Sequence, residues 1–227
     1  MTETDFIYWK HLTPVGIKVE ELSGALQRPQ NVWLAMAMQI YGENGEEDYR
    51  KTGHFASGAP FLYGDTCRIS ITHTDHFLAI ASLPRTPEAS LGEFSPRTAL
   101  GIDAERLDRA QVLKLRERFL NADELAAIPA DDLEANIKAW TSKEALYKAA
   151  LTPGLDFREQ IRIISLPPFG LPSAIPGSGL PSLGKGEIIH PDGHTESLDL
   201  FSYESEGCCV TLAYSPQCAK FPVKVRE

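Results

Sequence analysis

The sequence has little cysteine, a shortage of positive charge and no long apolar run. Four of its 227 residues are cysteines, Cys67, Cys208, Cys209 and Cys218, and no two form a CxxC pair. That count is low for a disulfide scaffold of this length, so reduced thiols in or near a core are expected. Lysine and arginine number 22 against 31 acids, a net charge of −9. A chain so charged repels nucleic acid and anionic membrane unless its basic residues are concentrated, and neither partner is expected. The longest apolar stretch, Val32 to Met38, falls well short of the roughly 18 residues a membrane-spanning helix needs. The opening MTETDFIYWKHL carries acids where a secretory signal carries positive charge, and no apolar run leads to a small-residue cleavage site. A cytoplasmic location is expected.

What is present is ordinary globular material, 43% hydrophobic and 23% charged. At about 150 residues per domain the length suits one large domain or two small packed halves. Asn31 to Gly42 is rich in Ala, Met and Leu and reads as a buried helix. Residues 43–60 are polar and glycine-punctuated, a loop or poorly buried hairpin. Arg68 to Leu83 alternates, with a polar break at His73 to His76, and predicts two strands joined by a turn. Leu100 to Glu105 reads as a strand. Helices follow at about Arg109 to Leu120, Ala122 to Ile128 and Asp132 to Leu151. Asn121 with Glu124, and Asp131 with Glu134, have capping-box spacing. Between Ser165 and Gly186 five prolines and five glycines exclude long regular elements and predict an extended loop. Further strands are expected at Gly186 to His190, Ser197 to Ser202 and Cys208 to Ser215. LAIASLP at 78–84 and VTLAYSP at 210–216 echo one another, each a strand ending in Pro downstream of a helix containing Trp.

The chemistry concentrates between residues 100 and 150. In a strand from Leu100 to Glu105, Asp103 and Glu105 project from one face while Leu100, Ile102 and Ala104 project from the other. Taken alone, the two acids fit a solvated strand face better than a site. On the long helix, Ile137, Trp140, Glu144, Tyr147 and Leu151 make one stripe at the 3.6-residue period, and Glu144 is the misfit. A carboxylate buried there needs a cation or a large pKa shift. Lys148 lies one turn on and Lys143 directly before, so a helical ion pair is an alternative account. If the stripe packs on the strand, three carboxylates cluster and require a divalent ion. All-oxygen ligation with no His or Cys at ligand spacing favours hard Mg²⁺, or Mn²⁺, over zinc. Mg²⁺ held this way takes remaining ligands from water and phosphate, and the two lysines suit a phosphorylated substrate.

GIDAE at 101–105, followed by AWTSKEALYKA at 139–149, resembles the paired signature GxDxE and WxxKEAxxK of 4′-phosphopantetheinyl transferases. RFLNADELAAI at 118–128 is similar to that family's linking helices, and ISITHTDHFLAIAS to its upstream strand motif, with Thr72 where a Ser usually precedes the His. The resemblance runs from about Leu100 to Ile164. It implies transfer of the phosphopantetheine arm of coenzyme A to a serine of an acyl or peptidyl carrier protein, with release of 3′,5′-ADP. It also implies Mg²⁺ held by Asp103, Glu105 and Glu144, with Lys148 as the catalytic cation and Lys143 as a second phosphate contact. Glu144 is ligand first and candidate general base second, since a metal-bound carboxylate is a poor base. His73, otherwise a turn residue, would contact the 3′-phosphate, and Thr72 would add a hydrogen bond. Arg106 to Arg118 carries a net charge of +3, a patch on which an acidic carrier could dock or simply a solvated helix face. The family's Gly-Lys-Pro is here Gly58-Ala59-Pro60, so one phosphate-binding lysine is missing. The implied fold is α+β, two similar α/β halves in a pseudo-twofold arrangement, 1–100 on the nucleotide side and 101–227 with the metal and phosphate site, in a monomer. A non-catalytic carrier-binding or regulatory protein that keeps the fold is the alternative, and a metal-dependent phosphohydrolase a third.

Overall fold

In the computed structural model, which describes residues 6–13, 17–24, 52–54, 58–62, 67–84, 99–170 and 183–215, the strand that carries two acids is the edge of one antiparallel sheet and lies beside another. The first sheet contains β1 (Phe6–Leu12), β2 (Lys18–Gly24), β5 (Cys67–His73) and β6 (Phe77–Pro84), in the order β1-β2-β6-β5. The second contains β7 (Leu100–Arg106), β8 (Ile161–Ser165), β10 (Gly184–Ile189), β11 (Thr195–Ser205) and β12 (Cys208–Tyr214), in the order β7-β12-β11-β10-β8. Two-residue β9 (Phe169–Gly170) pairs parallel with β11. A separate hairpin joins β3 (Thr52–His54) to β4 (Pro60–Leu62). The chain is a mixed α/β protein.

Three helices lie between β7 and β8: α1 (Gln111–Phe119), α2 (Ala122–Ala127) and α3 (Leu133–Ala150). The expected capping box forms at Asn121, whose side chain accepts from Glu124 N–H while Glu124 accepts from Asn121 N–H. The second does not form where it was expected. Asp132, one residue later than Asp131, caps α3 by accepting from Ala135 N–H at 2.9 Å. Strands β1, β2 and β8 carry no signal that the sequence reading used. The helix expected at Asn31 to Gly42 lies outside the described residues, as does most of the Pro- and Gly-rich loop.

The alternation predicted for β7 holds, but its acidic face is covered. Leu100, Ile102 and Ala104 enter a core shared with Val19, Phe77, Val210 and Leu212. Gly101, Asp103 and Glu105 lie beneath α3, and Asp103 and Glu105 are buried. Gly101 makes this possible, because a Cβ there would collide with the carbonyl oxygen of Ala145. The expected stripe on α3 needs correction. The helix is buried on most of its circumference, with Thr141, Ser142, Lys143, Ala145, Leu146 and Ala149 inside, whereas Trp140 and Tyr147 turn aside to pack on Phe157.

The two sheets join along β5 and β7 through side chains. Arg68 Nη2 donates to Leu100 O at 3.2 Å, Ile102 N–H to Ser70 Oγ at 3.0 Å, and Ala104 N–H to Thr72 Oγ1 at 3.0 Å. Each pair is 32 residues apart, so the strands run in the same direction, with every second residue of β5 forming a rung.

Candidate active site

Helix α3 sets Glu144 and Lys148 against β7. Lys148 Nζ donates to Asp103 Oδ1 at 2.7 Å and to Ile102 O at 3.0 Å. An ammonium group has three N–H bonds, so these contacts leave one for a ligand. Glu105 accepts from Arg106 N–H at 3.0 Å through Oε1 and pairs with Arg109 through Oε2. Glu144 is half-buried near both. Burial, followed by the charge of Asp103, raises its pKa to about 7; Glu105 adds to the rise and Lys148 opposes it. Asp103 and Glu105 are therefore close enough to Glu144 to act on its ionisation.

Among the described residues no three His, Cys, Asp or Glu side chains converge at coordinating distance. Arg109 and Lys148 hold Glu105 and Asp103. Carboxylate oxygens are the donor type a hard divalent ion takes, and such an ion would favour the charged form of Glu144, which burial first and Asp103 and Glu105 next disfavour.

Lys143 is not brought to this cluster. Its Nζ donates to Glu124, Phe157 O and Ile161 O, each at 2.6 Å, and the side chain is 0% exposed. Those three acceptors use all its N–H bonds, which corrects the expectation of a phosphate contact. Burial pushes its pKa below the ordinary lysine value, and Glu124 opposes that shift. Glu124 also accepts from Ile163 N–H at 2.7 Å, so the pair ties α2, α3 and β8 together.

Thr72 also departs from expectation. Its buried hydroxyl accepts from Ala104 N–H and donates to Asp103 Oδ1 at 3.1 Å. His73, the next residue, is exposed at the end of β5. Of the basic run, Arg106 pairs with Asp108 and Asp75. Arg109 holds Glu105, and Arg116 donates to Ile128 O at 2.5 Å and to Asn136 at 3.2 Å. Lys114 and Arg118 are exposed, leaving a smaller patch than the sequence count suggests.

A cleft of about 230 Å³ opens beside Lys148, walled by Gly58, Ala59, Pro60, Ile71, Tyr147 and Thr152. The tripeptide that departs from the family pattern thus borders the same lysine that holds Asp103. Sequence spacing could not have found this approach of residues about ninety positions apart.

Residues 99–171 match the family model of the 4′-phosphopantetheinyl transferase superfamily. The matched stretch runs from the start of β7 to just past β9 and contains Asp103, Glu105, Lys143, Glu144 and Lys148; Thr72 and His73 lie outside it. No curated protein matches the chain.

Proposed function

We propose that the chain transfers the 4′-phosphopantetheine arm of coenzyme A to a serine of an acyl or peptidyl carrier protein and releases 3′,5′-ADP. The observation that carries this reading is the position of Lys148, which touches Asp103 and borders the cleft. A diphosphate lying there would meet Lys148, which reaches from the cleft to Asp103. In the proposed reaction the carrier serine oxygen attacks the phosphorus bearing the pantetheine arm. The bond to the ADP phosphate breaks, and the serine proton passes to a base.

Asp103, Glu105 and Glu144 would hold Mg²⁺, with Mn²⁺ as a substitute. When bound, the ion supplies Lewis-acid stabilisation of charge on the pyrophosphate. Lys148 offers its remaining N–H to the departing phosphate, where a fixed cation stabilises charge that develops only as the bond breaks. His73, exposed beside the junction, is suited to meet the 3′-phosphate. Glu144 is foremost a ligand. Without an ion its pKa is raised to about 7, first by burial; a bound ion would lower it, so a role as base comes second. Exposed Lys114 and Arg118 would meet an acidic carrier. In this reading residues 1–100 form the nucleotide side and 101–227 the metal and phosphate side of two similar halves.

The test is to incubate the chain with coenzyme A, Mg²⁺ and an apo carrier and then weigh the carrier. A gain of one phosphopantetheine supports transfer. An unchanged carrier, bound but unmodified, supports the regulatory alternative, and phosphate release without an adduct supports a phosphohydrolase.

A further inference from the structure

The hydroxyl of Thr72 has only one way to arrange its hydrogen. Ala104 N–H can only donate, so Thr72 Oγ1 accepts from it; an ionised carboxylate can only accept, so Thr72 donates to Asp103 Oδ1. Thr72 is 3% exposed. A phosphate approaching it would have to take that hydrogen away from Asp103. The same Asp103 oxygen receives Lys148 Nζ from the opposite element. Asp103 is thus oriented by two donors, one neutral from the first sheet and one cationic from α3.

We infer that Thr72 is a positioning residue that orients Asp103, and that it acts through the acid rather than through contact with the nucleotide. This rests on the transfer reading for its consequence in catalysis, while its effect on Asp103 is independent of it. Partners of this kind, which donate a hydrogen bond to a metal-binding carboxylate, typically change metal affinity by about ten- to a hundredfold when removed. They also give the first sheet a direct hold on the acid site.

Three variants test the inference. Thr72→Val keeps the shape and removes both hydrogen bonds. Thr72→Ser keeps the hydroxyl. Ser70→Ala removes the neighbouring rung to Ile102, which touches no acid. Mn²⁺ binding to the protein alone, followed by the electron paramagnetic resonance of the free ion, should weaken about tenfold in Thr72→Val. It should recover in Thr72→Ser and stay at the wild-type value in Ser70→Ala. In transfer assays, Thr72→Val should lower kcat by the same factor with coenzyme A and with 3′-dephospho-coenzyme A. The inference is overturned by unchanged Mn²⁺ affinity in Thr72→Val, by equal weakening in Ser70→Ala, or by a transfer defect that vanishes with the dephospho substrate. If the wild-type chain modifies no carrier, the transfer reading falls on that control, and the Mn²⁺ comparison still decides what Thr72 does to Asp103.

Discussion

Lys148 Nζ stands 2.7 Å from Asp103 Oδ1, joining a helix to a strand 45 residues earlier in the chain. The contact depends on Gly101, which lets α3 come close enough for one turn of helix to reach the acid. Lys148→Ala should therefore reduce transfer by about 10²–10³-fold, the usual loss when a group that stabilises developing charge is removed. Melting temperature should fall by less than for the enclosed Lys143–Glu124 pair, because Lys148 is partly exposed and Asp103 keeps its hydrogen bond from Thr72. Lys148→Arg should not restore the rate, since a planar guanidinium does not place its donors as an ammonium does. Steady-state rates and thermal melts check both points.

Lys143 should behave in the opposite way. Lys143→Met leaves Glu124 charged and buried, and loss of one partner of such a pair costs about 3–5 kcal/mol. Urea unfolding should show that loss, and the double variant Lys143→Met with Glu124→Gln should recover part of it. The KM for coenzyme A, measured at a temperature where the variant remains folded, should stay within about twofold of wild type. Normal stability with a raised KM would restore the phosphate contact that the sequence suggested.

Glu144 gives a pH dependence with a definite sign. Its folded pKa of about 7 lies above the ordinary value of 4.5, so between those values the folded chain holds a proton that the unfolded chain has released. Stability is then fully retained at low pH and declines as pH rises from about 4.5 towards 7. In EDTA, Glu144→Gln should remove that decline and leave the protein roughly 1–2 kcal/mol more stable than wild type at pH 8, allowing for partial exposure of the carboxyl. Mg²⁺ should recover stability in the wild type at pH 8 by binding the folded state, and should do less for the variant. Denaturation curves at pH 5 and pH 8, with and without Mg²⁺, measure each difference.

Lys114 and Arg118 are exposed, whereas Arg106 and Arg109 are held in ion pairs and Arg116 donates to Ile128 O and Asn136. Reversing both to Glu should raise the KM for an acidic carrier by roughly tenfold at low salt and flatten its salt dependence, with the KM for coenzyme A unchanged. Equal effects on both substrates would place the nucleotide, rather than the carrier, on this helix.

The parts of the fold that local chemistry dictates were legible in the sequence. Alternation marked β5, β6 and β7, and the Asn121 and Glu124 spacing marked α2. Assignments that depend on tertiary approach were not. Thr72 was expected to contact a ligand only by resemblance of its strand motif, which does not reveal that its partners are Asp103 and Ala104, from a strand beginning 28 residues downstream. Lys143 looked like a phosphate contact because a lysine beside a carboxylate on a helix has the same sequence whether it faces a substrate or is enclosed by Glu124, Phe157 and Ile161. The stripe failed for a related reason. A helix covered on most sides has no single apolar face, so its periodicity marks no one direction.

The central claim is that Asp103, Glu105 and Glu144 act together through one divalent ion on the diphosphate of coenzyme A. The most direct measurement is the rate at which an apo carrier gains phosphopantetheine mass, followed for wild type, Asp103→Ala and Glu144→Ala in Mg²⁺ and again in EDTA. The account predicts an adduct from wild type in Mg²⁺ alone, and none from either folded variant or from wild type in EDTA. Undiminished modification by Asp103→Ala, or by the wild-type chain stripped of divalent ions, would contradict it.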